Sequence, residues 1–387
     1  MKIFINVRNN HNQWGGDIAV INALHDGLQR IGIPAETHPD ISKANSFDHT
    51  IITNSCTDLR KTAEYLIENR IAYSVLPFHE DFLLYYPTCI GFYKLVDGML
   101  NQKKLEGVSI DLKMIYDNPY LSNYLGPQPL PTGFINANVF KQAHAVLPTS
   151  EFEAKTVTRD SPNAKINVCQ CPNIISNKFT GKSNDSFLKL TNINEGYILQ
   201  VGRLETRKNQ LASILACYDI PKTLVFIATK GYQPQYTKSV ITAIKQVRKY
   251  PTIIVSEEIP SIQDGMLKVI AMPDGKKLDY SILESAYQHA AVNCHPAFYE
   301  LPGLTYLESM YCKIPTIVSE WTSAQEFISG IEGQDYWMVK PFDLKSIRKA
   351  VIAALYKNNE LPFTGKVTWQ SIDEYAKSVI SSVLSSY

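Results

Sequence analysis

Residues 295–319 read HPAFYELPGLTYLESMYCKIPTIVS. Pro302 and Gly303 break regular structure in the middle of this stretch. From Leu304 onward the apolar positions Leu304, Leu307, Met310 and Tyr311 recur at helical spacing. Glu300 is therefore placed in a loop, and Glu308, eight residues on, inside the first turns of a helix. The leading amides of such a helix, at Gly303, Leu304 and Thr305, have no intrahelical acceptor and stand at the positive end of its dipole. A helix start of this kind receives an anion. With a carboxylate on either side it suits a phosphorylated sugar, the phosphate taking the amides and the carboxylates taking hydroxyls.

A second stretch, GYILQVGRLETRKNQLASILAC at 196–217, reads as a short apolar strand ended by Gly202. Arg203, Arg207 and Lys208 follow before an apolar helix that starts near Gln210. In an open α/β sheet, ligands bind at the carboxyl ends of strands, and cations placed there neutralise a diphosphate.

The two stretches, in this order, resemble the signature of retaining glycosyltransferases of the GT-B fold, the group 1 (GT4-like) family. That family carries Gly-Arg-Leu-x-x-x-Lys-Asn, here Gly202-Arg203-Leu204 and Lys208-Asn209. It also carries Glu-Gly-Phe-Gly with a second Glu eight after the first, here Glu300-Leu301-Pro302-Gly303 and Glu308. Leu301-Pro302 replaces Gly-Phe, a departure that bears on the sugar pocket more than on the phosphate site, because Gly303 is kept. The resemblance implies an α/β protein with two Rossmann-like domains facing each other across a cleft. It implies transfer of a sugar from a UDP- or GDP-sugar to a hydroxyl of a glycan or lipid-linked acceptor, with retention, in surface polysaccharide or glycoconjugate assembly. Arg203 and Lys208 would grip the diphosphate, Glu300 would face the transferred sugar and Glu308 the ribose. No metal or other cofactor is implied, and neither Asp17 nor Asp274 offers a carboxylate pair for one.

The rest of the chain alternates strands and helices, the pattern of a parallel sheet flanked by helices. Strands are expected at 2–7, 50–53, 72–77, 145–148 and 166–169, then near 197–201, 223–228, 252–255 and 314–318. A helix is expected over 18–31, from Ile18, Val20, Ile21, Leu24 and Leu28. Ser150 and Glu153 read as a capping box. The Asn-, Ser- and Thr-rich run 181–194 reads as a linker, which divides the chain into an acceptor-side domain, 1–180, and a donor-binding domain, 195–367. The resemblance implies that the last helix, 368–387, crosses back onto the first domain.

Gly15-Gly16, after the first strand, let a backbone approach a ligand closely, and family members often carry such a loop facing the donor phosphates. They also often place a His at the strand end where His79 stands, near the reacting sugar; His11, in the glycine loop, is a weaker competitor. Asn173 matches the Asn of the family's Pro-Asn-Gly-Val, with Ile174 in place of Gly. Segment 82–105 is more apolar than a surface helix. It reads as a core helix, or else as a lip meeting a membrane through Lys103 and Lys104.

At 387 residues and net charge +1, the chain has the length of two domains and no electrostatic footprint for nucleic acid. MKIFINV opens as a strand and lacks the features of a signal peptide. The seven cysteines show no metal-site spacing and read as buried thiols. A cytoplasmic protein is expected, peripheral at the inner face of the membrane if segment 82–105 is a lip. A GT-B nucleotide-sugar epimerase, or a GT-B protein that binds nucleotide sugar without turnover, would carry the same motifs.

Overall fold

The computed structural model describes residues 1–8, 15–103, 105, 132–175, 178–228, 233–257, 259–272, 279–356 and 362–385. His11, Lys104 and Asp274 lie outside them.

Four short strands, β1 (Ile3–Asn6), β2 (Ala35–His38), β3 (His49–Thr53) and β4 (Tyr73–Leu76), form a parallel sheet in the order β2-β1-β3-β4. Single parallel bridges from Val75 to Val146 and from Val146 to Ile166 continue it where strands were expected at 145–148 and 166–169. Helices α1 (Gly16–Arg30), α2 (Arg60–Glu68), α3 (Phe82–Asn101), α4 (Thr132–Gln142) and α5 (Glu151–Asp160) belong to this half. The polar edge strand β2 gave no periodic signal in the sequence.

The second sheet has eight strands: β5 (Tyr197–Val201), β6 (Leu224–Ala228), β7 (Thr252–Ser256), β8 (Ile262–Asp264), β9 (Leu267–Ala271), β10 (Ala290–His295), β11 (Thr316–Ser319) and, beyond a small ribbon strand β12 (Ile328–Ser329), β13 (Tyr336–Val339). Their order is β13-β11-β10-β5-β6-β7-β9-β8, and only the edge pair β8–β9 is antiparallel. Helices α6 (Ser186–Thr191), α7 (Gln210–Ala216), α8 (Pro234–Val247), α9 (Tyr280–Gln288), α10 (Leu304–Tyr311) and α11 (Leu344–Leu355) accompany it. The expected linker 181–194 thus contains α6, whose Phe187 and Thr191 are buried.

The last helix, α12 (Ile372–Leu384), opens with a complete capping box, Ser371 and Glu374. It lies on α1 of the first half. The contact is close: a Cβ on Gly27 would stand 2.6 Å from the Ile372 carbonyl oxygen and 2.9 Å from Ala376 Cβ. The expected box at Ser150 is only half made. Ser150 accepts from the Glu153 amide at 3.1 Å, while the Glu153 carboxylate turns inward to the amides of His79 and Thr149.

Helix α3 buries one face, with Tyr85, Cys89, Phe92, Val96 and Leu100, and the core it joins is that of the second sheet. Phe92 meets Phe298, Tyr85 stacks on Tyr299 at 5.0 Å, and Tyr93 meets Tyr236 edge-on. Ser239 on α8 donates to Asp97 at 2.5 Å. Among the described residues no helix is long and apolar enough to cross a membrane.

Candidate functional site

A cavity of about 390 Å³ opens where the two halves meet. From the first half it is lined by Arg8, Gly15, Gly16, Asp17, Asn54 and Glu80, and from the second by Arg203, Arg207, Lys208, Glu300, Thr305 and Glu308, among others. The carboxyl ends of β1, β5 and β10 converge here.

The β5 end supplies the cations. Residues Thr206–Lys208 make one tight turn, and Asn209 follows in left-handed backbone, φ 61°. The Asn209 amide donates to the carbonyls of Pro296 and Pro341 at 2.8 and 2.7 Å. It thereby staples the Lys208 turn to two neighbouring loops, which is the physical reason for an Asn after the Lys. Gln200 adds a bond to the Lys208 carbonyl at 2.7 Å.

Glu300 stands at the β10 end. Its backbone is fixed by bonds to Trp321 and Ser323. Its carboxylate takes an ion pair from Lys208, a hydrogen bond from His295 Nε2 at 3.1 Å, and faces Arg207 at 3.9 Å. Burial alone would raise this carboxyl, but Lys208, His295 and Arg207 together hold it well below the usual carboxylate range. Arg207 is in turn shared among Glu205 at 3.2 Å, Glu80 at 3.6 Å and the Tyr299 carbonyl at 3.0 Å.

Gly303 caps α10 with φ 78°, a left-handed conformation in which a side chain is strained. A Cβ there would also stand 2.6 Å from the Tyr306 ring. Helix α10 then presents its start, Leu304 and Thr305, to the cavity. Glu308, one turn further, accepts a bond from Tyr287 Oη at 2.9 Å. Burial pushes its carboxyl up to about 7, against the pull of the Tyr287 bond and of Lys178 and Lys208. The same cavity thus holds one carboxylate that stays ionised and one poised near neutrality.

Of the residues singled out in the sequence, Gly15, Gly16, Arg203, Lys208, Glu300, Leu304, Thr305 and Glu308 line this cavity together, and Gly303 caps the helix that reaches it. His79 does not line it. Its ring is fully buried between Ser55 Oγ at 2.9 Å and Asp160 Oδ2 at 2.8 Å. Its neighbour Glu80 takes the place in the cavity. Arg207, read in the sequence as one of the diphosphate cations, also lines it, and so do Arg8, Lys178 and Tyr280, to which the sequence reading assigned no part. Among the described residues no group of three or more His, Cys, Asp or Glu is placed to hold a metal.

Residues 195–358 match the family model of the glycosyl transferases group 1. The chain has the GT-B fold. HepE of Anabaena, solved with UDP and glucose, superimposes with a TM-score of 0.64 at 13% identity over 100% of both chains. Sucrose-phosphate synthase of Thermosynechococcus elongatus gives 0.63 at 14% identity over 99% of this chain and 94% of that one. No curated protein matches the chain in sequence. The family match runs from just before β5 to just past α11 and so contains both motifs that build the far wall of the cavity.

Proposed function

We propose that the protein transfers a sugar from a nucleoside diphosphate sugar to an acceptor hydroxyl with retained configuration. The observation that carries this is the convergence, in one interdomain cavity, of Arg203, Arg207 and Lys208 with the start of α10 and with Glu300 and Glu308. The group 1 family match supports it. The complexes of HepE with UDP and with UDP-glucose make a uridine nucleotide the first to try.

In this reading the diphosphate lies between the cations and the α10 start, which stabilise the charge that grows as the sugar leaves. The bond between the anomeric carbon and the phosphate oxygen breaks. The acceptor oxygen bonds to the same carbon from the same face, and its proton goes to the departing phosphate. Glu300 does not serve as nucleophile, because three cationic or proton-donating partners engage it; it stabilises positive charge on the flattened sugar ring. Glu308 receives ribose hydroxyls. The side-chain cations carry the leaving-group charge, so a divalent metal is not required.

A thermal-shift screen of nucleoside diphosphates and their sugars tests the reading. A ligand at a hundred times its dissociation constant stabilises by about 2.7 kcal/mol, and no shift with any of them would overturn it.

A further inference from the structure

The turn that leaves β4 is built unusually. Phe78 has φ 45°, left-handed backbone that is strained for a non-glycine residue and persists only where its surroundings impose it. They do so here. The Ser55 amide donates to the Pro77 carbonyl at 2.7 Å, and Asn136 ties down the adjoining loop through the carbonyls of Ser55 and Thr57. The effect is to send consecutive side chains in opposite directions. His79 enters the core of the first domain, and Glu80 enters the cavity.

Glu80 is held by one oxygen only. Its Oε2 accepts from Tyr85 Oη at 2.5 Å. Its Oε1 stands 3.6 Å from Arg207, within ion-pair range but too far for a direct hydrogen bond. The side chain is 20% exposed and lines the cavity together with Lys208 and Glu300, whose carboxylate faces the same Arg207. A carboxylate so placed repels phosphate and accepts from hydroxyls.

Resting on the sugar-transfer reading, we propose that Glu80 is the first-domain residue that grips the sugar at the reacting end of the cavity, its Oε1 accepting a hydrogen bond from a sugar hydroxyl. The hydroxyl belongs either to the transferred sugar or to the acceptor. Arg207 aims the carboxylate, and Tyr85 fixes its rotamer.

The test is a set of titrations on the full chain: UDP against UDP-glucose, GDP against GDP-mannose, and glucose in the presence of saturating UDP. Glu80→Ala is expected to weaken a nucleotide sugar, or glucose, tenfold or more while the matching nucleoside diphosphate alone stays within twofold. Loss confined to the nucleotide sugars assigns the hydroxyl to the transferred sugar, and loss confined to glucose assigns it to the acceptor. Equal weakening of the bare nucleoside diphosphate would mean that Glu80 acts only through Arg207, and no weakening at all would mean that it touches no sugar; either overturns the proposal. Should Glu80→Ala melt well below wild type, Glu80→Gln carries the same comparison. Failure of the wild type to bind any of the four nucleotides would overturn the sugar-transfer reading itself, an outcome distinct from the others.

Discussion

Lys208 and Glu300, from the ends of neighbouring strands β5 and β10, form a buried ion pair at the wall of the cavity, their side chains only 12% and 7% exposed. The pair keeps a cation desolvated and aimed before any ligand arrives. Burial pulls the Lys208 ammonium below its ordinary range, with Glu300 opposing and Arg207 and Arg203 adding to the pull. A diphosphate entering beside it would relieve that tension.

Lys208→Ala is accordingly expected to lower kcat by about 10²-fold or more, the scale of losing one preorganised contact to a developing anion. Stability should change far less. Glu300 keeps its bond from His295 at 3.1 Å and still faces Arg207, so no carboxylate is orphaned. Turnover within threefold of wild type, measured beside a thermal melt, would remove Lys208 from the site.

Glu308 makes the stability of the free protein depend on pH. Its folded pKa, about 7, lies above the value of 4.5 for an unfolded chain. Between these values the folded state binds more protons, so this group makes stability fall as pH rises from about 4.5 to 7, with the full penalty present above 7. Glu308→Gln mimics the neutral acid. It should leave the melting temperature at pH 5 almost unchanged and raise it at pH 8, while weakening nucleotide binding at pH 8. Equal effects on melting at both pH values would mean that the carboxyl does not titrate in this window.

What the sequence disclosed is the part of the site written in short motifs. Glycines at strand ends, cations after them and carboxylates at fixed spacing are local devices, and the fold gathers them around one cavity. What it did not disclose depends on long-range packing. The apolar excess of α3 marks a buried helix, but only Tyr236, Phe298 and Tyr299, far along the chain, determine which core it joins. Glu153 has the spacing of a capping residue, yet its carboxylate serves the backbone of His79. Strand β10 is rich in small and polar residues, Ala290, Asn293 and His295, so neither alternation nor an apolar run announced it. Which of His79 and Glu80 faces the cavity follows from the backbone of Phe78, and no side-chain pattern reveals that.

The placement of His79 is open to a direct check. Replacing it with Ala removes a ring that bridges Ser55 and Asp160 inside the first domain. The buried Asp160 carboxylate would retain only its Arg159 contact, at 2.7 Å. Losing a hydrogen bond to a buried charged group costs about 1.5–3 kcal/mol, and the space left by the ring adds to that. The variant should therefore melt much lower, while the kcat of its folded fraction, assayed at low temperature, stays within about tenfold of wild type. A stable His79→Ala protein with turnover reduced a thousandfold would restore His79 to the chemistry.

The two glutamates of the 295–319 stretch should separate kinetically. Glu308 bonds, in the proposed reading, to the ribose, a part of the donor that does not change during the reaction. Hydrogen bonds to charged groups are worth about 1.5–3 kcal/mol, so Glu308→Ala should raise the donor KM roughly tenfold to a hundredfold with little change in kcat. Glu300 is held ionised by Lys208, His295 and Arg207. Its interaction with the sugar grows as the ring gains positive charge, and an interaction that strengthens in the transition state acts on kcat. Glu300→Gln keeps an acceptor atom and removes the charge, so it isolates that electrostatic part. It also leaves Lys208 and Arg207 without their shared counter-charge, which should tighten the binding of a bare nucleoside diphosphate even as turnover falls. Opposite movement of the nucleoside diphosphate Kd and of kcat in Glu300→Gln is thus the signature of the assignment. A rise in KM alone for Glu300→Gln, with kcat lost in Glu308→Ala, would reverse the two roles.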